Sequence, residues 1–321
     1  MRYRAFGRTG WEISEIGYGM WGMGGWTGSD DDVSRRSLAL AVESGCNFFD
    51  TASAYGLGRS ERLLGDLLRA YPDRRLYVAT KVAPKNMKWP AKAGDALNEV
   101  FPAGHLRAST EASLKNLGID TLDLQQLHVW HDNWAGDERW QREVSDLKRE
   151  GLIRAFGISV NRWEPANVLR ALETDLVDCV QVVYNIFDQA PEDELFPACR
   201  RRHVAVIARV PFDEGSLTGR LTPDARWPDG DWRNVYFSTQ NLAETLPRVE
   251  RLSHLVPEGM DLPELALRFI LANPDVTTTI PGMRMPAHVE RNLAASDGRP
   301  LPPRLHDALG THRWDRTAVI E

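Results

Sequence analysis

Asp50, Tyr55, Lys81 and His128 are the residues of this chain whose types and spacing could do chemistry together. Each lies at or just beyond the end of a short apolar run. Asp50 closes Asn47-Phe48-Phe49-Asp50, and Tyr55 follows in the turn Thr51-Ala52-Ser53-Ala54-Tyr55-Gly56. Lys81 closes Leu76-Tyr77-Val78-Ala79-Thr80-Lys81, and His128 stands near the end of the run from Leu122 to Val129. A phenol beside an ammonium, a carboxylate and an imidazole suits proton donation to a carbonyl oxygen. Each residue also has a plainer reading: a strand-end cap, a pocket wall, a surface lysine and a hydrogen-bonded core histidine. Their joint occurrence, in this order, favours chemistry.

Polar groups gathered at the C-terminal ends of successive parallel strands are the arrangement of a β/α barrel. The rest of the chain supports that architecture. A small hairpin is expected from Arg4 to Ile16, around Gly7 and Gly10. Strands are then expected at Ile16 to Met20, Asn47 to Asp50, Leu76 to Lys81, Leu122 to Val129, Ile153 to Ser159, Val177 to Val183, Val204 to Ala208 and Val276 to Ile280. Between them come helices at Val33 to Ser44, Ser60 to Ala70, Leu106 to Leu117, Glu138 to Glu150, Pro165 to Glu173, Glu192 to Arg202, Pro263 to Ala272 and Pro286 to Ala295. Alternation of this kind favours a parallel sheet with right-handed crossovers. The fold expected is an α/β (β/α)8 TIM barrel, one domain over residues 1–321. It carries an N-terminal β-hairpin and a long insertion after strand seven, from Arg209 to about Gly259. An open doubly wound sheet is the competitor, but Gly17-Tyr18-Gly19-Met20-Trp21-Gly22 does not open directly into a helix as a phosphate turn should.

With 321 residues and a net charge of −6, the chain is large enough for a stable core and has no basic stripe for nucleic acid. Its three cysteines, Cys46, Cys179 and Cys199, are widely spaced, so neither a disulfide framework nor a zinc site is expected. No apolar stretch has the length of a membrane span, and no signal peptide is evident behind Met1. A cytoplasmic location is the expectation. His128 and His131 are three apart on an extended segment, which points them to opposite sides and argues against a shared metal. Trp21, Trp89, Trp130 and His131 are candidates for the substrate pocket, together with part of the 227–237 segment. Several of the 11 tryptophans lie in Gly-rich or irregular stretches, where packing under long loops is the competing reading.

Taken together, the chain resembles an aldo-keto reductase. The resemblance runs from Arg4-Ala5-Phe6-Gly7-Arg8-Thr9-Gly10 through Asn47 to Ala52, Tyr55-Gly56, Ser60-Glu61, Thr80-Lys81 and the His128 strand. It continues through Gly151-Leu152-Ile153-Arg154 and Phe156-Gly157-Ile158-Ser159 to Ile280-Pro281-Gly282 and Asn292-Leu293. It implies a barrel that binds NADP(H) and reduces an aldehyde or ketone, a small-molecule carbonyl, without a metal. In that setting Tyr55 is the proton donor. Free tyrosine, with a pKa of about 10, is a poor acid at neutral pH. The Lys81 ammonium would lower that value, Asp50 would hold the ammonium, and His128 would direct the substrate oxygen.

The resemblance also implies a cofactor site. Gly19, Met20, Trp21 and Asp50 belong to its floor and rim. Ser159, Asn161 and Gln181 would meet the nicotinamide carboxamide, although Ser159-Val160-Asn161 sets the asparagine one residue away from its usual place beside the serine. Arg209 stands where a ring often stacks on the nicotinamide, and a guanidinium can lie flat in the same way. Pro211, Phe212, Gly215, Leu217 and Gly219 resemble the segment over the pyrophosphate. Gly282, Arg284, His288 and Asn292 resemble the adenosine-phosphate site, with Arg284 facing a 2′-phosphate, which favours NADPH. Arg291 replaces a frequent acidic residue before Asn292 and has two readings, in the phosphate grip or toward solvent. Two other functions compete: a barrel that mainly serves as a binding partner, as in channel-associated β-subunits, and a barrel hydrolase or isomerase.

Overall fold

A computed structural model describes residues 1–26 and 28–316. The chain opens with a hairpin, β1 (Tyr3–Ala5) and β2 (Glu12–Ser14), paired antiparallel. Eight parallel strands follow: β3 (Tyr18–Gly19), β4 (Phe48–Asp50), β5 (Tyr77–Val82), β6 (Leu122–Leu127), β7 (Ile153–Ser159), β8 (Cys179–Val183), β9 (Ala205–Arg209) and β10 (Thr278–Thr279). They pair in sequence order from β3 to β10. The first and last strands close on each other through bridges Ile16–Thr279 and Gly19–Gly282, so the sheet is a barrel with no free edge. That closure explains Gly19: a Cβ there would stand 2.5 Å from the Ile280 carbonyl oxygen.

Helices α1 (Asp31–Glu43), α2 (Arg59–Ala70), α3 (Leu97–Val100), α4 (His105–Leu117), α5 (Glu138–Arg149), α6 (Leu169–Leu172) and α7 (Leu195–Arg202) accompany the first six barrel strands, α3 and α4 both following β5. After β9 come α8 (Arg233–Tyr236), α9 (Thr239–Ser253) and α10 (Leu262–Ala272), and after β10 come α11 (Pro286–Ala294) and α12 (Pro303–Gly310). Local signals set their ends. The Asp30 side chain accepts from the Val33 amide at 2.9 Å to start α1, and Asp261 does the same for Glu264 at the start of α10. Gly118, with φ 68°, stops α4. In α5, Trp140, Val144 and Leu147 form the buried stripe.

Period-two alternation divides the core into two compartments. Phe48, Tyr77, Ala79, Leu124, Ala155, Cys179, Ala205, Ile207 and Ile280 fill the barrel interior as one apolar cluster. Phe6 and Ile13 of the hairpin region join it, and the Trp11 ring stacks on Phe6 and Tyr77 at 5.5 and 5.2 Å between centroids. The hairpin is therefore a plug in the floor. A larger cluster fills the layer between sheet and helices, and a small separate one gathers Tyr236, Phe237 and Leu242 in the stretch after β9.

Two expectations change. The helix expected from Pro165 to Glu173 shrinks to Leu169–Leu172. Polar side chains compete for its first turn: Asn167 donates to Glu164 at 3.1 Å and accepts from the Asp132 amide at 2.8 Å. Asp132 instead caps the shortened helix, accepting from Arg170 and Ala171 amides. The insertion after strand seven, for which no helix is expected from the sequence, contains α9, which runs fifteen residues and buries Leu242, Thr245, Val249 and Leu252. Pro247 inside it obscures the helical pattern.

Candidate active site

A polar layer lies directly above the apolar barrel filling. Its members follow the inward-facing residues by two along each strand: Asp50 after Phe48, Lys81 after Ala79, Gln126 after Leu124 and Gln181 after Cys179. Asp50 and Lys81 are fully enclosed, with Lys81 Nζ 2.5 Å from Asp50 Oδ1 and 2.8 Å from the Thr51 carbonyl. The other carboxylate oxygen, Oδ2, accepts from Gln181 Nε2 at 2.8 Å and Gln126 Nε2 at 3.3 Å. Gln181 also donates to Gln126 Oε1 at 3.3 Å. Gly157 makes room for Gln126, since a Cβ there would lie 3.1 Å from its Cγ. Asp50 is thus held from three sides, as burying a charge requires.

Tyr55, in the turn after β4, faces this layer from above, its ring centroid 5.2 Å from Lys81 Nζ. The His128 ring, one residue past β6, meets the Tyr55 ring edge-on at 5.8 Å and the Trp89 ring edge-on at 6.0 Å. The four residues singled out in the sequence are therefore neighbours in space. Burial raises the Tyr55 pKa above its ordinary value, with Lys81 and Arg209 pulling the other way. The net lowering expected from Lys81 alone does not occur, because removal of water around the phenol outweighs the nearby charge. The same forces act on His128: burial, then Lys81, then Arg209 hold its pKa well below the usual 6.5. Its ring is neutral at physiological pH, and Nδ1 is buried without a hydrogen-bond partner.

The remaining candidates separate into groups. Ser159 is buried and pairs in register with Gln181. Asn161 does not join them: it donates to Glu164 at 3.0 Å and accepts from the Trp163 amide at 3.2 Å, which ties it into a turn. Arg209 ends β9, donates to the Val160 carbonyl at 3.1 Å and keeps a buried, unpartnered Nε. Pro211 and Phe212 lead into a 3-10 segment (Asp213–Thr218) containing Gly215 and Leu217 and capped by Gly219. The Leu217 side chain is buried in the core, so contact with a ligand there falls to the backbone.

Met20 is buried, its amide donating to the Asp50 carbonyl at 2.9 Å. Trp21 is 46 % exposed and stacks on Trp26, and Trp89 is 44 % exposed beside His128. Trp130 does not line the pocket. It is 1 % exposed and packs edge-on against Trp134 and Trp140. His131 caps a short turn through Nδ1, which accepts from the Asn133 amide at 3.2 Å.

On the far side of the mouth, Gly282 forms the closing bridge to Gly19. Arg284 lies near Gly22 and Gly28. His288 in α11 has its pKa lowered by burial first and then by Arg291, Arg220 and Arg284. Four basic side chains therefore share one edge. Arg291 also reaches Asp261 at 3.6 Å, and Asn292 is buried. Arg220 and Gln126 are not among the residues expected from the sequence, although Gln126 lies two residues before His128 on the same strand face, which is a signal for it.

An extended ligand with an amide-bearing ring at one end and phosphates at the other fits these residues. His128 Nδ1 and Arg209 Nε are buried without a hydrogen-bond partner, which leaves polar atoms for the first part, and the basic edge suits the second. Among the described residues no group of acidic, histidine and cysteine side chains is arranged to hold a metal ion, and no helix is long and apolar enough to cross a membrane.

Residues 15–312 match the family model described as Aldo/keto reductase family. The aldo-keto reductase YhdN of Bacillus subtilis (strain 168) is 30% identical over 297 residues, which cover 90% of this chain and 87% of that protein. The NADH-specific methylglyoxal reductase of Escherichia coli (strain K12) is 30% identical over the full length of both chains. The solved holo form of aldo-keto reductase AKR11C1 from Bacillus halodurans superposes with a TM-score of 0.78 at 25% identity, covering 98% of this chain and 97% of that one.

Proposed function

The chain belongs to the aldo/keto reductase family, and from that premise we propose that it reduces an aldehyde or ketone with NADPH, Tyr55 donating the proton. The observation that carries this reading is the enclosed Asp50–Lys81 pair beneath Tyr55 and His128. When bound, the dinucleotide supplies the hydride. Ser159, Gln181 and Arg209 would hold its ring end, the 211–219 segment its pyrophosphate, and Arg284 with His288 and Asn292 its adenosine end.

The protein's own part is acid catalysis. The Tyr55 hydroxyl keeps its proton in the resting state, since loss of water around it is the stronger influence on it. Neutral His128 hydrogen-bonds the carbonyl oxygen and aims it at that hydroxyl. Charge develops on the oxygen during reduction, and the Tyr55 proton transfers to it. The phenolate left behind is stabilised by the Lys81 and Arg209 charges. Asp50, fixed by Gln126 and Gln181, keeps Lys81 under the ring. Trp21 and Trp89 would form the apolar sides of the substrate pocket.

NADPH rather than NADH is supported by the basic edge of Arg220, Arg284, His288 and Arg291, where a 2′-phosphate would find charge-assisted partners. The NADH-specific relative from Escherichia coli supplies the contrary outcome. A charged hydrogen bond is worth roughly 1.5–3 kcal/mol, so Arg284→Leu should cut the kcat/KM ratio of NADPH to NADH by about ten- to hundredfold. A wild-type preference for NADH in that measurement would overturn the assignment.

His128 gives a pH test. Its folded pKa lies below the unfolded value of about 6.5, so below that pH the unfolded chain binds the proton first. Stability contributed by the neutral ring is complete above about pH 6.5 and is lost as the pH falls toward the folded value. Urea midpoints measured from about pH 7 down to about pH 5 should fall less steeply in His128→Gln than in the wild type. Equal slopes would contradict a neutral, desolvated ring.

A further inference from the structure

The segment after β9 needs outside support to keep its shape. Val210, Asp213 and Glu214 have φ of 57°, 45° and 56°, in the left-handed region that β-branched and long side chains rarely occupy. The support converges on Asp213, which is fully buried. Its Oδ1 lies 2.5 Å from Arg162 Nη2 and 2.8 Å from Arg316 Nη2, and accepts from the Tyr236 hydroxyl at 2.6 Å. Ser216 Oγ donates to Oδ2 at 2.7 Å.

Asp188 completes the cluster, its Oδ2 contacting Arg162 at 2.8 Å and Arg316 at 3.0 Å. Arg316 also contacts the Tyr236 hydroxyl. Five separate parts of the chain therefore meet: the turns after β7, β8 and β9, helix α8, and the C-terminal segment. The Arg162 and Arg316 side chains are 8 % and 2 % exposed. The C-terminal segment is seated independently by the Trp314 amide, which donates to the Phe187 carbonyl at 2.8 Å.

We propose that Arg316 and Arg162 latch Asp213 and so hold the 210–219 segment in the shape that closes over the cofactor's phosphates, making the C-terminal segment a determinant of how long the dinucleotide stays bound. The link to the cofactor rests on the reading above, that residues 211–219 contact the pyrophosphate. The latch itself rests on the ion pairs and the strained backbone. Arg316 is a positioning residue, since it acts through Asp213.

The test uses the full chain with Arg316→Met, Arg316→Lys and Tyr236→Phe. Without dinucleotide, amide hydrogen exchange over 210–219 should speed up about tenfold or more in Arg316→Met, while amides of β5 and β6 keep wild-type rates. Arg316→Lys, which retains the charge, should recover part of the protection. NADPH release, followed by stopped-flow fluorescence, should accelerate by about the same factor in Arg316→Met, with KM for a simple aldehyde little changed. Unchanged exchange over 210–219 in a folded Arg316→Met protein would overturn the latch. Faster exchange with unchanged release would overturn its coupling to the cofactor. Should the wild type bind no nicotinamide dinucleotide, the functional reading and the coupling both fail, and the exchange measurement still decides the latch. Tyr236→Phe, which removes one hydroxyl from the cluster, supplies the same comparison should Arg316→Met not fold.

Discussion

Tyr55→Phe is expected to lower kcat/KM for aldehyde reduction by about 10²–10⁴, the range for loss of a positioned general acid, while dinucleotide affinity and thermal midpoint stay near wild type. The change deletes one oxygen and leaves the ring that packs beside His128. It adds no charge to the buried Asp50–Lys81 pair. Loss of the near-ultraviolet absorbance of reduced nicotinamide, with a simple aldehyde added, reads the rate, and fluorescence titration reads the binding. Turnover close to wild type would remove Tyr55 from the role of donor.

Separating Asp50 from Lys81 should have the largest effect on stability. Removing one member of a buried pair typically costs about 3–5 kcal/mol, because the other charge is stranded. The two removals are not equivalent. Lys81→Met leaves Asp50 with the Gln181 and Gln126 amides, whereas Asp50→Leu leaves the ammonium only the Thr51 carbonyl among the partners described above. Asp50→Leu should therefore lower the urea midpoint further than Lys81→Met. The double variant, with no charge left to strand, should be more stable than the sum of the single losses predicts. Strict additivity would mean that the pair contributes little as a pair.

The barrel was legible because it is built from local rules that a sequence displays. Apolar runs that end in Asp50 and Lys81 are strand ends in any parallel sheet, and glycines such as Gly118 stop helices whatever surrounds them. What escaped depended on distant partners. The first turn of the helix expected from Pro165 is undone by Asp132 and Glu164. α9 sits within a stretch whose Gly, Pro and Trp content reads as loop. Trp130 looked like a pocket residue by its position after His128, and only packing against Trp134 and Trp140 decides otherwise. The direction of the Tyr55 shift was missed because charge neighbours can be guessed from sequence while the degree of dehydration cannot. The Asp213 cluster draws on residues 103 positions apart, a separation that no local pattern announces.

The hairpin plug has a kinetic corollary. With Phe6, Ile13 and Trp11 closing the floor of a barrel whose interior is filled by apolar side chains, both reactants must use a single doorway. Two guests sharing one entrance cannot come and go in arbitrary order: whichever sits deeper arrives first and departs last. Turnover should then follow a compulsory sequence, visible as competitive inhibition by only one of the two products against the leading reactant.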